Sequence, residues 1–210
     1  MIIWNDEGIV ISSRNLREEF RIVDVFTKNH GRVSGLIKLT NLKKMNIISN
    51  VNVDLQAKSS DNLGFWKLRN EKQNWIFAMK NPKIMMICQS ICFILNKILP
   101  HNIKNLKLFL TIDTFFSSLN TISEEVSILF YSYFEFITLQ TMGYAIDINN
   151  PHNKIDIPAC WHIFNNINKL DNLFDTQYEK DDIKKSLNLT WKLINEHMII
   201  SDNYFRNNII

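Results

Sequence analysis

A chain of 210 residues is long enough for one large domain or two modest ones, and its 46% hydrophobic and 21% charged content excludes a disordered chain. The net charge of +3 is unevenly spread: residues 1–80 carry 13 Lys/Arg against 8 Asp/Glu, whereas residues 81–210 carry 11 against 13. Arg14 to Lys44 alone hold 8 basic and 3 acidic residues, which favours a polyanionic partner for the N-terminal part.

The first 80 residues read as short strands. Gly8-Ile-Val-Ile-Ser-Ser-Arg14 is β-branched and short. Residues 20–27 and 32–38 follow, joined by the turn Lys28-Asn-His-Gly31, a hairpin signal. Val51-Asn-Val-Asp-Leu-Gln-Ala-Lys58 alternates strictly, with Val51, Val53, Leu55 and Ala57 on one face. Residues 64–71 form a fifth strand that puts Trp66 and Leu68 on one face and Phe65, Lys67 and Arg69 on the other. Five short strands in this span predict a small closed barrel, of which the OB-fold is the commonest five-stranded form. An SH3-like barrel, or an antiparallel sheet packed on helices, fits the same pattern.

From Asn81 the period becomes helical. Asn81 followed by Pro82 is an N-cap with proline at the first helical position, and Pro100 ends that run. Residues 102–119 read as a second helix. Ser123-Glu124-Glu125 opens a third, which Gly143 closes. Residues 147–158 are irregular, and residues 181–198 form a last amphipathic helix through Ile183, Leu187, Trp191 and Ile194. The class is α+β, with a barrel over residues 1–79 and an α-helical domain over 80–210.

The longest apolar stretch, residues 84–99, is broken by Gln89, Ser90, Asn96 and Lys97 and falls short of the roughly 20 residues of a membrane span. No secretory signal opens the chain, and Cys88, Cys92 and Cys160 are an odd set without framework spacing. A cytoplasmic protein with no membrane partner is expected.

Catalysis finds little support. Gly8, Gly31, Gly35, Gly64 and Gly143 form neither a phosphate loop nor a dinucleotide fingerprint, and there is no Gly-x-Ser-x-Gly elbow. Glu124, Glu125 and Glu135 share one helix, where solvated or capping carboxylates commonly sit. No enzyme activity and no cofactor are expected. Cys88 and Cys92 share an apolar helical face and read as small hydrophobes. His152, Cys160 and His162 supply three ligands at most, one short of a structural zinc site, so no metal is expected. The basic segment is the stronger signal. Arg14, Arg17, Arg21, Arg32, Lys38, Lys43 and Lys44 lie on the first three strands and the following loop, suited to backbone phosphates, with Phe20 or Phe65 as stacking surfaces. The plainer alternative is that these are ordinary solvated strand positions, and composition alone leaves both open.

Several segments resemble RecO proteins. Gly8-Ile-Val-Ile-Ser-Ser-Arg14 and Arg21-Ile-Val-Asp-Val-Phe-Thr-Lys-Asn-His-Gly-Arg-Val-Ser-Gly-Leu-Ile-Lys38 are similar to that family's opening. Leu63-Gly-Phe-Trp-Lys-Leu-Arg69 is similar to its last barrel strand, Thr138-Leu-Gln-Thr-Met-Gly-Tyr-Ala-Ile-Asp147 to its central helix and exit, and Leu187-Asn-Leu-Thr-Trp-Lys-Leu-Ile-Asn-Glu-His197 to its final helix. The resemblance implies an N-terminal OB-fold and a helical C-terminal domain. It also implies single-stranded DNA binding, promotion of strand annealing, and loading of RecA together with RecR onto DNA coated by single-strand-binding protein. Where relatives carry Lys-Gly-Ala-Arg this chain has Lys38-Leu-Thr-Asn, with Lys43 and Lys44 slightly later. Where many relatives carry a four-cysteine zinc module, the segment from Asn149 to Trp161 keeps only Cys160. Lys97, Lys104 and Lys107, around the junction of the first two helices, are the expected contacts for the acidic C-terminal tail of single-strand-binding protein. An RNA-binding OB-fold adaptor without catalytic activity, or a nuclease or ligase fragment, are the competing readings of a lone OB-fold.

Overall fold

A computed structural model describes residues 2–17, 19–38, 46–57, 63–144, 148, 156–167, 173, 178–198, 206 and 209. Five strands, β1 (Ile2–Arg17), β2 (Phe20–Thr27), β3 (Gly31–Lys38), β4 (Ser49–Ala57) and β5 (Gly64–Gln73), close into a barrel of order β1-β2-β3-β5-β4. The order and closure are those of the OB-fold expected from the strand pattern. The alternation of β4 has the predicted sense: Val51, Val53, Leu55 and Ala57 are buried and the residues between them are not.

The first strand is longer than its own residues announce. Residues 2–7 show no clean alternation of apolar and polar side chains, yet Ile2–Ile9 pair with β4 and Gly8–Arg17 pair with β2. The strand serves both halves of the barrel, with register shifts between Val10 and Ser12 and between Asn15 and Arg17. Such irregularities bend a strand, as closing a small barrel demands. Inside, Val10, Val23, Val25, Val33, Ile37, Val51, Val53, Leu55 and Trp66 form the core, with Trp4 and Leu68 packed against it. Each fully buried aliphatic of this kind contributes on the order of 1.5–3 kcal/mol.

Three helices belong to the same compact unit as the barrel, Met1–Thr121: α1 (Trp75–Ala78), α2 (Pro82–Ile98) and α3 (Leu106–Ser118). The Asn81 side chain caps α2 by accepting from the amides of Lys83 (2.9 Å) and Ile84 (3.3 Å), and α2 packs against β1. The third helix begins at Leu106 rather than 102, capped by Asn105, which accepts from Leu108 N at 3.1 Å. The preceding linker is occupied otherwise. His101 bridges to Arg32, and Asn102, at φ 60°, donates its N–H to Arg32 O at 2.9 Å. Close approach of this linker explains Gly31, whose φ is +70° and where a Cβ would lie 2.0 Å from Ile103 O.

The second compact unit, Ile122–Ile210, contains α4 (Glu124–Thr141), α5 (Ala159–Asn166) and α6 (Lys180–Met198). The α4 helix is buried from Leu129 to Leu139 without interruption. Glu135, read from sequence among solvated or capping carboxylates, is fully buried. Arg206 donates Nε to Glu135 Oε1 at 2.7 Å and Nη2 to Oε2 at 3.2 Å, and the Thr190 hydroxyl donates to Oε2 as well. The fifth helix went unpredicted because its cap is remote. Asp182 of α6 accepts from Ala159 N (2.8 Å) and Cys160 N (2.7 Å), and Trp161 Nε1 donates to Ser186 Oγ at 2.7 Å. The sequence boundary between residues 79 and 80 falls between α1 and α2, after the change from strand to helix, and lies inside the first compact unit.

Two substitutions test this architecture by urea titration. Gly31→Ala combines a left-handed φ with a backbone clash, so it should cost more than about 2 kcal/mol. Arg206→Leu leaves Glu135 buried without its cation, for an expected loss of about 3–5 kcal/mol. Midpoints unchanged from the parent would contradict either account.

Candidate nucleic-acid interface

On β2 and β3 the core takes Val23, Val25, Val33 and Ile37, so Phe20, Ile22, Asp24 and Phe26 on β2 and Arg32, Ser34, Leu36 and Lys38 on β3 face outward. This outer wall has two ends with different environments. At one end, helices cover it. Phe26 meets Phe109 of α3 edge-on at 5.6 Å. Asp24 is buried and accepts from Ser12 Oγ (2.8 Å) and from Ser34 Oγ on the flanking strands. Arg32 donates to Asn96 O and to Leu99 O (3.1 Å), and its Nη2 lies 2.6 Å from His101 Nε2. These are carbonyls at the C-terminal end of α2, where a cation is favoured by the helix dipole. Arg32 is therefore engaged in holding the helix end to the barrel.

The other end of the wall is open. Ser13, Arg14, Asn15, Leu16 and Arg17 are exposed in succession, as is Lys38. Arg14 pairs with Ile22, which pairs with Leu36, so it lies on the outward row. Phe20 and the exposed Phe65 meet edge-on at 6.2 Å, and Lys38 Nζ lies 6.0 Å from the Phe20 ring centre. The structure thus gathers Phe20, Phe65 and Lys38 into one patch beside the exposed arginines of β1. Arg21 is half-buried, paired with Asn15 and the inward Ile37, and its Nε has no hydrogen-bond partner. Lys43 and Lys44 lie outside the described residues. Lys67 is one of the β5 cations that sequence reasoning left out of the site. It is exposed two residues beyond Phe65, and the alternation of residues 64–71 already placed both on one face.

Lys97 is exposed in the last turn of α2, Lys104 in the linker and Lys107 in the first turn of α3. Lys104 Nζ donates to Asn29 Oδ1 in the β2–β3 turn at 3.0 Å. Ile103, Leu106 and Leu110 are exposed on the same stretch, Leu106 and Leu110 one helical turn apart. All three lysines belong to the compact unit that contains the barrel.

The cysteines are poorly placed for metal. Burial pushes the Cys88 thiol up and that of Cys92 to about 12, and burial together with Asp182 pushes Cys160 to about 12. A thiolate, the ligand form, is disfavoured at all three. Among the described residues no three metal-ligating side chains come together; His162 is exposed and His152 lies outside them. Among the described residues no helix is long and apolar enough to cross a membrane.

The family model for the N terminus of recombination protein O matches residues 1–67, which is the barrel as far as the first residues of β5. A DNA repair protein RecO of Ehrlichia chaffeensis is 26% identical over 95% of this chain and 92% of its own length. The chain belongs to the RecO family. A RecO of Rickettsia typhi is 30% identical over 68% of this chain, and one from a Wolbachia of Drosophila simulans is 34% identical over 47%. Those two alignments span 61% and 42% of the relatives, less than two thirds of their length. In this RecO-family chain the segment matched by the family model lies within the barrel and includes the half-buried Phe20 and the exposed Lys38 and Phe65.

The Arg32 clamp predicts a pH dependence. Partial burial, then the charges of Arg32 and Arg14, lower the His101 pKa from 6.5, outweighing the opposing pull of Asp24. The unfolded chain therefore binds a proton near pH 6.5 that the folded chain refuses. The contribution is fully present above pH 6.5 and declines as pH falls through 6.5 toward the folded value. His101→Gln retains an acceptor for Arg32 and cannot titrate. Its urea midpoint should fall less between pH 8 and pH 5 than the parent's; parallel falls would dissociate His101 from the effect.

Proposed function

We propose that this chain is a non-catalytic DNA repair and recombination mediator that binds single-stranded DNA through the open end of the barrel wall. The observation that carries this reading is the patch of exposed Phe65 and Lys38 around the half-buried Phe20, beside the exposed Arg14 and Arg17. Aromatic faces accept any base, at about 1–3 kcal/mol per stacked base, and cations neutralise the backbone, so binding tolerates sequence. In this reading Arg14, Arg17 and Lys38 make the phosphate contacts, Lys43 and Lys44 are further expected contacts, and Arg32 holds the helix-covered end of the wall in place. Family membership supports the repair role, with RecR as a protein partner and RecA loading on DNA coated by single-strand-binding protein as the outcome.

The acidic C-terminal tail of single-strand-binding protein is assigned to the stretch carrying Lys97, Lys104 and Lys107. Exposed Ile103, Leu106 and Leu110 supply the apolar surface such a peptide needs, and the lysines supply its counter-charge. The cytoplasm is the compartment this work requires.

Binding of oligothymidylate, followed by fluorescence anisotropy, should weaken steeply with salt, with a slope near −3.5 in log K against log salt if about five phosphates are neutralised. Arg14→Glu, Arg17→Glu and Lys38→Glu combined should abolish this binding and spare the tail peptide. Lys97→Glu, Lys104→Glu and Lys107→Glu combined should do the reverse. A flat salt response, or a strong preference for RNA over DNA of the same sequence, would sink the DNA reading.

A further inference from the structure

The outward row of β5 continues beyond the patch just described. Phe65, Lys67 and Arg69 alternate outward and are exposed. Strict alternation would turn Lys72 inward. Instead Asn50 pairs with Lys72 while Val51 pairs with Asn70, so β5 holds one extra residue there. That bulge returns Lys72, which is exposed, to the outer row. Each outward position of the strand whose side chain is described is thus aromatic or cationic, while the sequence places Glu71 between Asn70 and Lys72. On the neighbouring β4 the outward residues are Asn50, Asn52, Asp54 and Gln56, three amides and a single carboxylate.

The row leads into α1, a one-turn helix with Ile76, Phe77 and Met79 exposed by 45%, 36% and 61%. This knuckle is firmly held. Ala78 is fully buried, and the buried Asn74 accepts from Phe77 N (3.0 Å) and Ala78 N (3.2 Å) through its carbonyl while donating its side-chain amide to Asn50. Asn50 in turn donates to Asp113 of α3. The Lys80 ammonium lies 5.2 Å from the Phe77 ring centre, repeating the Lys38–Phe20 arrangement. Residues 72–83 contain three lysines and no carboxylate. Rigid apolar and aromatic surface with lysines beside it suits a polyanion with flat apolar faces, as unpaired bases on a phosphate backbone provide.

We propose that a single strand of nucleic acid runs the length of β5, from Phe65 over Lys67, Arg69 and Lys72 to a second stacking point at Phe77 and Lys80. This rests on the single-strand-binding reading above and gives it a path. Ten residues at ~3.3 Å span about 30 Å, which holds up to about nine nucleotides at a stacked spacing of ~3.4 Å and fewer when extended. Arg69 is paired with Asp54 at 3.6 Å, but its side chain is 63% exposed, and a pair so placed yields to a phosphate. Lys72 is the weakest cation of the row, since it shares a cleft with Glu7 and Asp113.

The test uses the full chain and oligothymidylates of 6 and 12 nucleotides. The parent should bind the 12-mer at least tenfold more tightly than the 6-mer. Phe77→Ala with Lys80→Glu should remove about tenfold of the 12-mer affinity and reduce its salt slope by about 0.7, while changing 6-mer affinity less than twofold. Lys67→Glu, at an exposed strand position, should likewise act mainly on the 12-mer. Photocrosslinking of a bromodeoxyuridine 12-mer should mark peptides containing Phe65 and Phe77. A 12-mer affinity untouched by the Phe77 and Lys80 changes, or adducts confined to Phe20 and Phe65, would overturn the β5 path and leave single-strand binding standing. A parent that binds neither oligonucleotide would overturn both.

Discussion

Closure of the barrel passes through two residue pairs. Among the described residues, strands β3 and β5 pair in parallel at Gly35–Gly64 and Leu36–Phe65, and Trp66 lies directly beneath that seam. A Cβ on Gly35 would come within 2.5 Å of the indole, and Trp66 Nε1 donates to Val23 O at 3.0 Å. The glycine leaves room for the largest core side chain, and the indole's one polar group is satisfied by β2 across the barrel. This contact fixes the outer surface as well as the core. With Trp66 inward, Phe65 and Lys67 must point out, and Leu36–Phe65 pairing brings Phe65 within reach of Phe20. The aromatic patch is a consequence of how the barrel shuts.

The helices of the first compact unit decide how much of that outer surface is free. Arg32, three residues before Gly35, ties the end of α2 and the linker after it to β3, while Phe26 meets Phe109 and Asn50 reaches Asp113. The covered half of the wall is held by charge and hydrogen bonding at its edge and by aromatic packing at its centre. The open half keeps its arginines. One strand therefore carries a cation of each kind, Arg32 engaged within the fold and Lys38 facing solvent, although both occupy outward positions of the same alternation.

The second unit handles buried polarity differently. Its central helix α4 is enclosed along most of its length, so Glu135 cannot be solvated and instead binds Arg206, with Thr190 completing the site. Ser132, Ser186 and Trp161 form a second enclosed hydrogen-bonded group nearby in the sequence of helices. Such groups are costly when half satisfied and specific when complete, which makes this unit sensitive to single changes at positions that sequence alone would treat as solvent-facing.

Strong local patterns made much of this legible in the sequence. The alternation of β4 and β5, the Lys28–Gly31 turn and the Asn81-Pro82 helix start are written in consecutive residues, because side-chain period and capping depend only on neighbours in the chain. The concentration of charge between Arg14 and Lys44 pointed to the barrel as the face for a polyanion for the same reason. What the tertiary structure decided were features whose partners lie far along the chain. Residues 2–7 become strand because β4 pairs with them. Residues 102–105 stay outside α3 where Asn102 donates to Arg32 of β3 and Asn105 caps the helix, and α5 starts where Asp182 caps it. Sequence could rank Arg32 and Lys38 only as equals, since exposure depends on what packs above a residue. One lies beneath the end of a helix nearly seventy positions away, and nothing in its own neighbourhood of the chain records that.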